Sequence, residues 1–190
     1  MKVLCDTCCV LLVVRIAPNM FIDEKYECFT IHEVRNEIFR KQRFKSKYPW
    51  RGDFKAQIKV KSFKPEIKEQ YDFHFDVINK MIESCTLNKR INRCFDLSYT
   101  DQKIVAYALA SNSLVSTNEK NMRDFLEQEF NEKSISSLAL INRWIKDGLI
   151  IWNSHLHGII EDWERNDEPV QPAEDIIEFV ALAGHEYVGP

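Results

Sequence analysis

The sequence predicts a three-layer α/β/α fold built around a central parallel sheet, and three observations carry that expectation. The short, mostly apolar run Lys2-Val3-Leu4-Cys5 suits a central strand buried on both faces. Helices with a clear apolar stripe recur along the chain. Between Asp101 and Trp152 helix-like and strand-like segments alternate, the pattern of parallel strands joined by crossovers. A chain of 190 residues, 45% hydrophobic and 29% charged, supplies one core of ordinary size, and intrinsic disorder is not the expectation.

The elements follow in order. Asp6 closes the first strand, and Cys8 to Val14 reads as the apolar helix or turn after it. Thr30 to Arg40 is an amphipathic helix, with Ile31, Val34 and Ile38 in phase, Thr30 as its N-cap and Glu37 one step from the apolar stripe. Asp101 to Ser111 buries Ile104, Val105, Ala108 and Leu109, and Ser98 stands three residues before Asp101. Ser113 to Thr117 is a strand, Glu119 to Phe130 a helix, and Ser137 to Asp147 a further helix stopped by Gly148. Leu149 to Trp152 reads as a last strand.

Charge divides what remains. Arg35 to Lys68 holds twelve Lys and Arg against three acids, with Phe39, Phe44, Tyr48, Trp50, Phe54 and Phe63 interleaved. Ile160 to Pro190 holds nine Asp and Glu against Arg165 alone, and reads as a partly ordered acidic tail. The expected organisation is a domain over residues 1–152, with a basic insertion at about 40–95, and an acidic C-terminal extension over 153–190.

Met1 to Val14 is apolar, but Asp6 interrupts it, Arg15 follows and there is no small-residue cleavage site, so a buried strand and helix is preferred to a signal peptide, and no membrane span is expected. Three of the six cysteines crowd into Cys5, Cys8 and Cys9, which suits reduced buried thiols in a cytoplasmic protein better than a disulfide framework. Cys5-Asp6-Thr7-Cys8 has a bare redox or half-zinc spacing, yet no second close pair accompanies it. His155 and His157 would share one face of an extended segment, where solvated surface histidines are the simpler reading.

Asp6, Glu37, Asp101 and Glu119 come from distant parts of the chain, and two of them follow predicted strands. Sites in open α/β sheets form at the carboxyl ends of the strands. Four like charges gathered there need a cation, and hard oxygen donors favour Mg²⁺ or Mn²⁺. A phosphate ester is the natural substrate of such a centre. Each residue also has a plainer reading. Asp6 suits an N-cap, Asp101 a capping box with Ser98, Glu37 a solvated ion pair, and Glu119 an anion in a first helical turn.

The segments Val3-Leu4-Cys5-Asp6-Thr7, Thr30-Ile31-His32-Glu33-Val34-Arg35-Asn36-Glu37-Ile38, Leu97-Ser98-Tyr99-Thr100-Asp101 and Val115-Ser116-Thr117-Asn118-Glu119-Lys120 resemble the ordered motifs of PIN-domain ribonucleases, including VapC-type toxins. The resemblance covers roughly residues 1–130. It implies Mg²⁺-dependent cleavage of single-stranded RNA, with the family's four acids falling on Asp6, Glu37, Asp101 and Glu119 as metal ligands. Thr7 and Asn118 would support them. Glu33 is the other candidate for the second acid, and Glu37 fits the spacing after Thr30 and Val34. The fourth family position is usually Asp, so Glu119 is one methylene longer.

On this reading Arg40, Lys41, Arg43, Lys45 and Lys47 draw in the RNA backbone, and Tyr48 and Trp50 stack on bases. By family analogy the partners would be an antitoxin protein and a second copy of the chain. The alternative is a catalytically silent PIN-like module that binds RNA or protein, with the acidic tail occupying the basic groove or serving as a docking segment.

Overall fold

Val3–Cys5 forms strand β1, and every side chain in it is buried, as its uniformly apolar composition requires. A computed structural model describes residues 1–61 and 65–190; Phe63 and Lys64 of the basic stretch lie outside the described residues. The elements after β1 are α1 (Thr7–Val13), β2 (Cys28–Phe29), α2 (His32–Arg40), α3 (Gln42–Lys47), α4 (Pro65–Glu83), β3 (Leu87–Asn88), β4 (Arg93–Cys94) and α5 (Tyr99–Ser111). Then come β5 (Leu114–Ser116), α6 (Lys120–Phe130), β6 (Ser134–Ile135), α7 (Ser137–Lys146), α8 (Ser154–Arg165) and α9 (Ala173–Ala183).

Four strands make a parallel sheet in the order β2-β1-β5-β6, flanked by helices, an arrangement compatible with three layers. The chain leaves β1 toward β2 on one side and returns to β5 on the other, so the strand order reverses between β1 and β5. Loops diverge there and leave a crevice at the strands' carboxyl ends. Cys5 is in register with Ser116, and the Asp6 N–H donates to the Ser116 carbonyl at 3.1 Å, which fixes the end of one central strand against the other.

Several expectations are corrected. Leu149 to Trp152 is not a strand. The N–H groups of Leu149 and Ile150 both donate to the Trp144 carbonyl, and Gly148 at φ 69° makes the left-handed turn that closes α7. Those donors are therefore spent on a helix end, and the fourth strand is the unmarked pair Ser134–Ile135. Thr30 does not cap α2, whose N-cap is Ile31 without a side-chain bond; the Thr30 hydroxyl instead donates to the Cys5 carbonyl at 2.9 Å and ties β2 to β1. His155 and His157 lie on helix α8, not on an extended segment.

The acidic extension is no loose tail. It folds as α8 and α9 and buries Ile159, Ile160, Trp163 and Phe179 in the common core, while Arg15 pairs with Asp162 at 2.8 Å. The insertion contributes α3, α4 and the β3–β4 hairpin, with α4 lying along α5. Cys85 and Cys94 form a disulfide across the base of that hairpin, so the expectation of reduced thiols holds only for Cys5, Cys8, Cys9 and Cys28. No described helix is long and apolar enough to cross a membrane.

Candidate functional site

A cleft of about 590 Å³ opens at the carboxyl ends of β1 and β5, and Asp6, Glu37, Asp101 and Glu119 all line it. The local fold explains each position. Asp6 ends β1 and caps α1, accepting from the Cys9 N–H at 2.6 Å. Ser98 and Asp101 form a reciprocal capping box at the start of α5: the Asp101 N–H donates to Ser98 Oγ at 3.2 Å, and the Ser98 N–H donates to Asp101 Oδ2 at 3.1 Å. Glu119 stands at the N-cap position of α6 without a side-chain capping bond. For Asp6 capping and cleft lining coincide, because a residue that caps a helix following a strand already sits at the strand's carboxyl end.

Glu37 reaches the cleft from α2. The Thr7 hydroxyl donates to Glu37 Oε2 at 2.6 Å, and the Lys41 ammonium one turn on pairs with Oε1. Glu33 turns away to an ion pair with Lys103 at 2.7 Å and does not line the cleft, so the structure brings Glu37 and not Glu33 to the other acids.

Burial and crowding raise the proton affinity of Asp6, Asp101 and Glu119. Asp6, only 2% exposed, is pushed up to about 7, chiefly by desolvation and then by Glu119 and Asp101, against hydrogen bonds from Thr117 and the Cys9 amide. Asp101 is raised by desolvation and by Glu37, with its Ser98 bonds opposing. Glu119 is raised by partial desolvation, then by Asp101 and Glu37, with Arg43 and Lys41 opposing. Carboxylates that disfavour each other's charge in one cleft are a site for a positive ligand. Among the described residues, no three His, Cys, Asp or Glu side chains close into a ready-made ligand set. In the arrangement described, Lys41 and the backbone amides of Cys9 and Ser98 engage the oxygens of Glu37, Asp6 and Asp101.

The cationic wall is narrower than the sequence suggests. Lys41, Arg43 and Lys47 line the cleft, Arg40 lines a neighbouring depression, and Lys45 lines neither. Both proposed stacking residues are corrected. Tyr48 is buried and its hydroxyl donates to Glu168 at 2.5 Å, while Trp50 is packed edge-on between Tyr48 and Phe54 with Arg15 at 5.3 Å from its ring. Asn118 does not line the cleft; its Oδ1 accepts from the Ser137 N–H at 2.8 Å and anchors α7.

Other lining residues were not assigned to this site from the sequence. Cys8 lies on the wall, its thiol pushed up by burial and then by Asp6 and Glu168. Asp96 precedes the Ser98 cap. Asp167, Glu168 and Pro169 form a wall from the linker between α8 and α9. Nothing local marks that linker, because its acids were indistinguishable from the rest of an acidic segment.

Comparison with protein-family models, with curated proteins and with solved structures finds no match to this chain, so its function is argued from the cleft and the residues that line it.

Proposed function

We propose that the chain is a divalent-metal-dependent endoribonuclease with a PIN-like site. The observation that carries the reading is the meeting of Asp6, Glu37, Asp101 and Glu119 in one cleft with Lys41, Arg43 and Lys47. Carboxylates crowded together suit a hard cation, and the adjoining cations suit a phosphodiester backbone. The donor set is oxygen throughout, which fits Mg²⁺ or Mn²⁺ better than a soft metal.

The residues divide the work. Asp6 is held by the Cys9 amide and by Thr117, so its carboxylate could serve as a ligand without reorganisation of the backbone. Thr7 orients Glu37, and Ser98 orients Asp101. Glu119, lacking a capping bond, keeps the freedom to reach the same ion. The bound ion would supply positive charge for the developing charge on phosphate and ease deprotonation of the attacking water. Lys41, Arg43 and Lys47 would neutralise the backbone and hold it across the cleft.

Purified wild type and Asp101→Asn, each given a labelled single-stranded RNA with Mg²⁺, with Mn²⁺ and with EDTA, test the reading. Metal-dependent cutting that disappears in the variant supports it. Binding without cutting under every condition would instead identify a silent RNA-binding module.

A further inference from the structure

A second depression, of about 410 Å³, adjoins the cleft and shares Glu37, Lys41 and Ser98 with it. Tyr99, the first residue of α5 and two residues from Asp101, lines this depression and is 61% exposed. Its ring is held from its own side of the molecule. Lys103 Nζ lies 4.7 Å from the ring centroid and is itself fixed by Glu33 at 2.7 Å, and the Phe75 ring meets it edge-on at 5.4 Å. Arg40 lines the same depression and makes no ion pair among the described residues.

A large aromatic ring that is both exposed and braced has already lost much of its conformational freedom, so a flat partner stacking on it loses less on binding. Bases stack on such rings with little regard to sequence, and nearby cations take the phosphates that link them. Tyr48 lines the cleft but is buried, and the half-buried Trp50 lies outside the cleft lining with its ring packed edge-on between Tyr48 and Phe54, so neither presents an exposed ring face as Tyr99 does. We propose that Tyr99 is the stacking platform for an unpaired nucleobase next to the scissile phosphodiester, with Arg40 receiving an adjoining phosphate. This rests on the reading of the carboxylate cleft as an RNA site.

The test uses the full chain carrying Asp101→Asn, so that the RNA stays intact, and a short single-stranded RNA with one 2-aminopurine per oligonucleotide, moved along the sequence. Anisotropy reads affinity, and 2-aminopurine fluorescence reads stacking. With Tyr99 or Tyr99→Phe, one position of the probe should be quenched on binding. Tyr99→Leu, which keeps an apolar contact for Phe75, should lose that quenching and bind roughly 10-fold more weakly. Equal affinity and equal quenching in Tyr99→Leu would overturn the platform while leaving the RNA reading intact. Absence of RNA binding by every protein would overturn both, and a thermal midpoint for Tyr99→Leu close to that of Tyr99→Phe separates either result from misfolding.

Discussion

The hydroxyl of Tyr48 donates a 2.5 Å hydrogen bond to the carboxylate of Glu168, and Lys47 adds an ion pair to the same oxygen at 3.1 Å. Both Tyr48 and Glu168 are buried, so this contact fastens the basic stretch to the acidic segment at one wall of the cleft. Burial and the neighbouring carboxylate hold Tyr48 protonated far above the usual phenol range. Tyr48→Phe removes the donor and leaves Glu168 with Lys47 alone. The expected cost is about 1–3 kcal/mol, read as a lower urea midpoint at unchanged slope.

Deleting residues 160–190 should abolish cooperative folding. It removes Ile160, Trp163 and Phe179 from the core, and the loss of one large aromatic side chain alone costs about 3–5 kcal/mol against a total stability of about 5–15. A truncated chain with a sharp thermal transition would show that α8 and α9 are dispensable. Single substitutions such as Glu168→Gln are the proper probes of that wall.

Asp6 should make stability depend on pH. Its carboxyl lies near 3.8 when exposed and at about 7 in the fold, so between those values the folded chain binds the proton more tightly. The contribution is full below about 4 and is lost as pH rises through 7. Asp6→Asn keeps an acceptor for the Cys9 amide and has no charge to bury. It should stabilise the protein at pH 8, by at most about 4 kcal/mol, with the gain fading toward pH 4. Thermal midpoints across that range check this, and a constant offset would contradict it.

Divalent cations should reverse the penalty that crowding imposes. At pH 8, Mn²⁺ at about a hundredfold excess over its dissociation constant would stabilise the wild type by about 2.7 kcal/mol, and EDTA would remove the gain. The shift should shrink at pH 5.5, where protons compete for Asp6, and vanish in the double variant Asp6→Asn, Asp101→Asn. An equal shift in that variant would place the ion elsewhere.

Ser98→Ala should cost about 1 kcal/mol, because the start of α5 loses one half of its capping box. It should also impair RNA cleavage more than that loss of stability explains, since Ser98 forms part of the turn that orients Asp101. Chemical denaturation paired with single-turnover cleavage separates the two effects.

The sequence by itself determined the elements whose signals are local. The all-apolar β1, the Ser98–Asp101 cap and the helical stripes of α5, α6 and α7 are legible because a cap or a 3.6-residue period needs only neighbours in the chain. The acids that end or follow those elements were legible for the same reason, and Asp6, Asp101 and Glu119 are among them. Tertiary structure decided the rest. Ser134–Ile135 is too short to carry a period and is a strand only because Val115 and Ser116 lie beside it in register. Leu149 to Trp152 has strand composition, but its first amides close α7. Trp163 and Phe179 enter the core although acids surround them in sequence, because a helix buries one face whatever the other carries. Spacing after Thr30 and Val34 already favours Glu37 over Glu33, but the hydroxyl that holds Glu37, the burial of Tyr48 and the bracing of the Tyr99 ring depend on long-range partners, Thr7, Glu168 and Phe75, which no local pattern names.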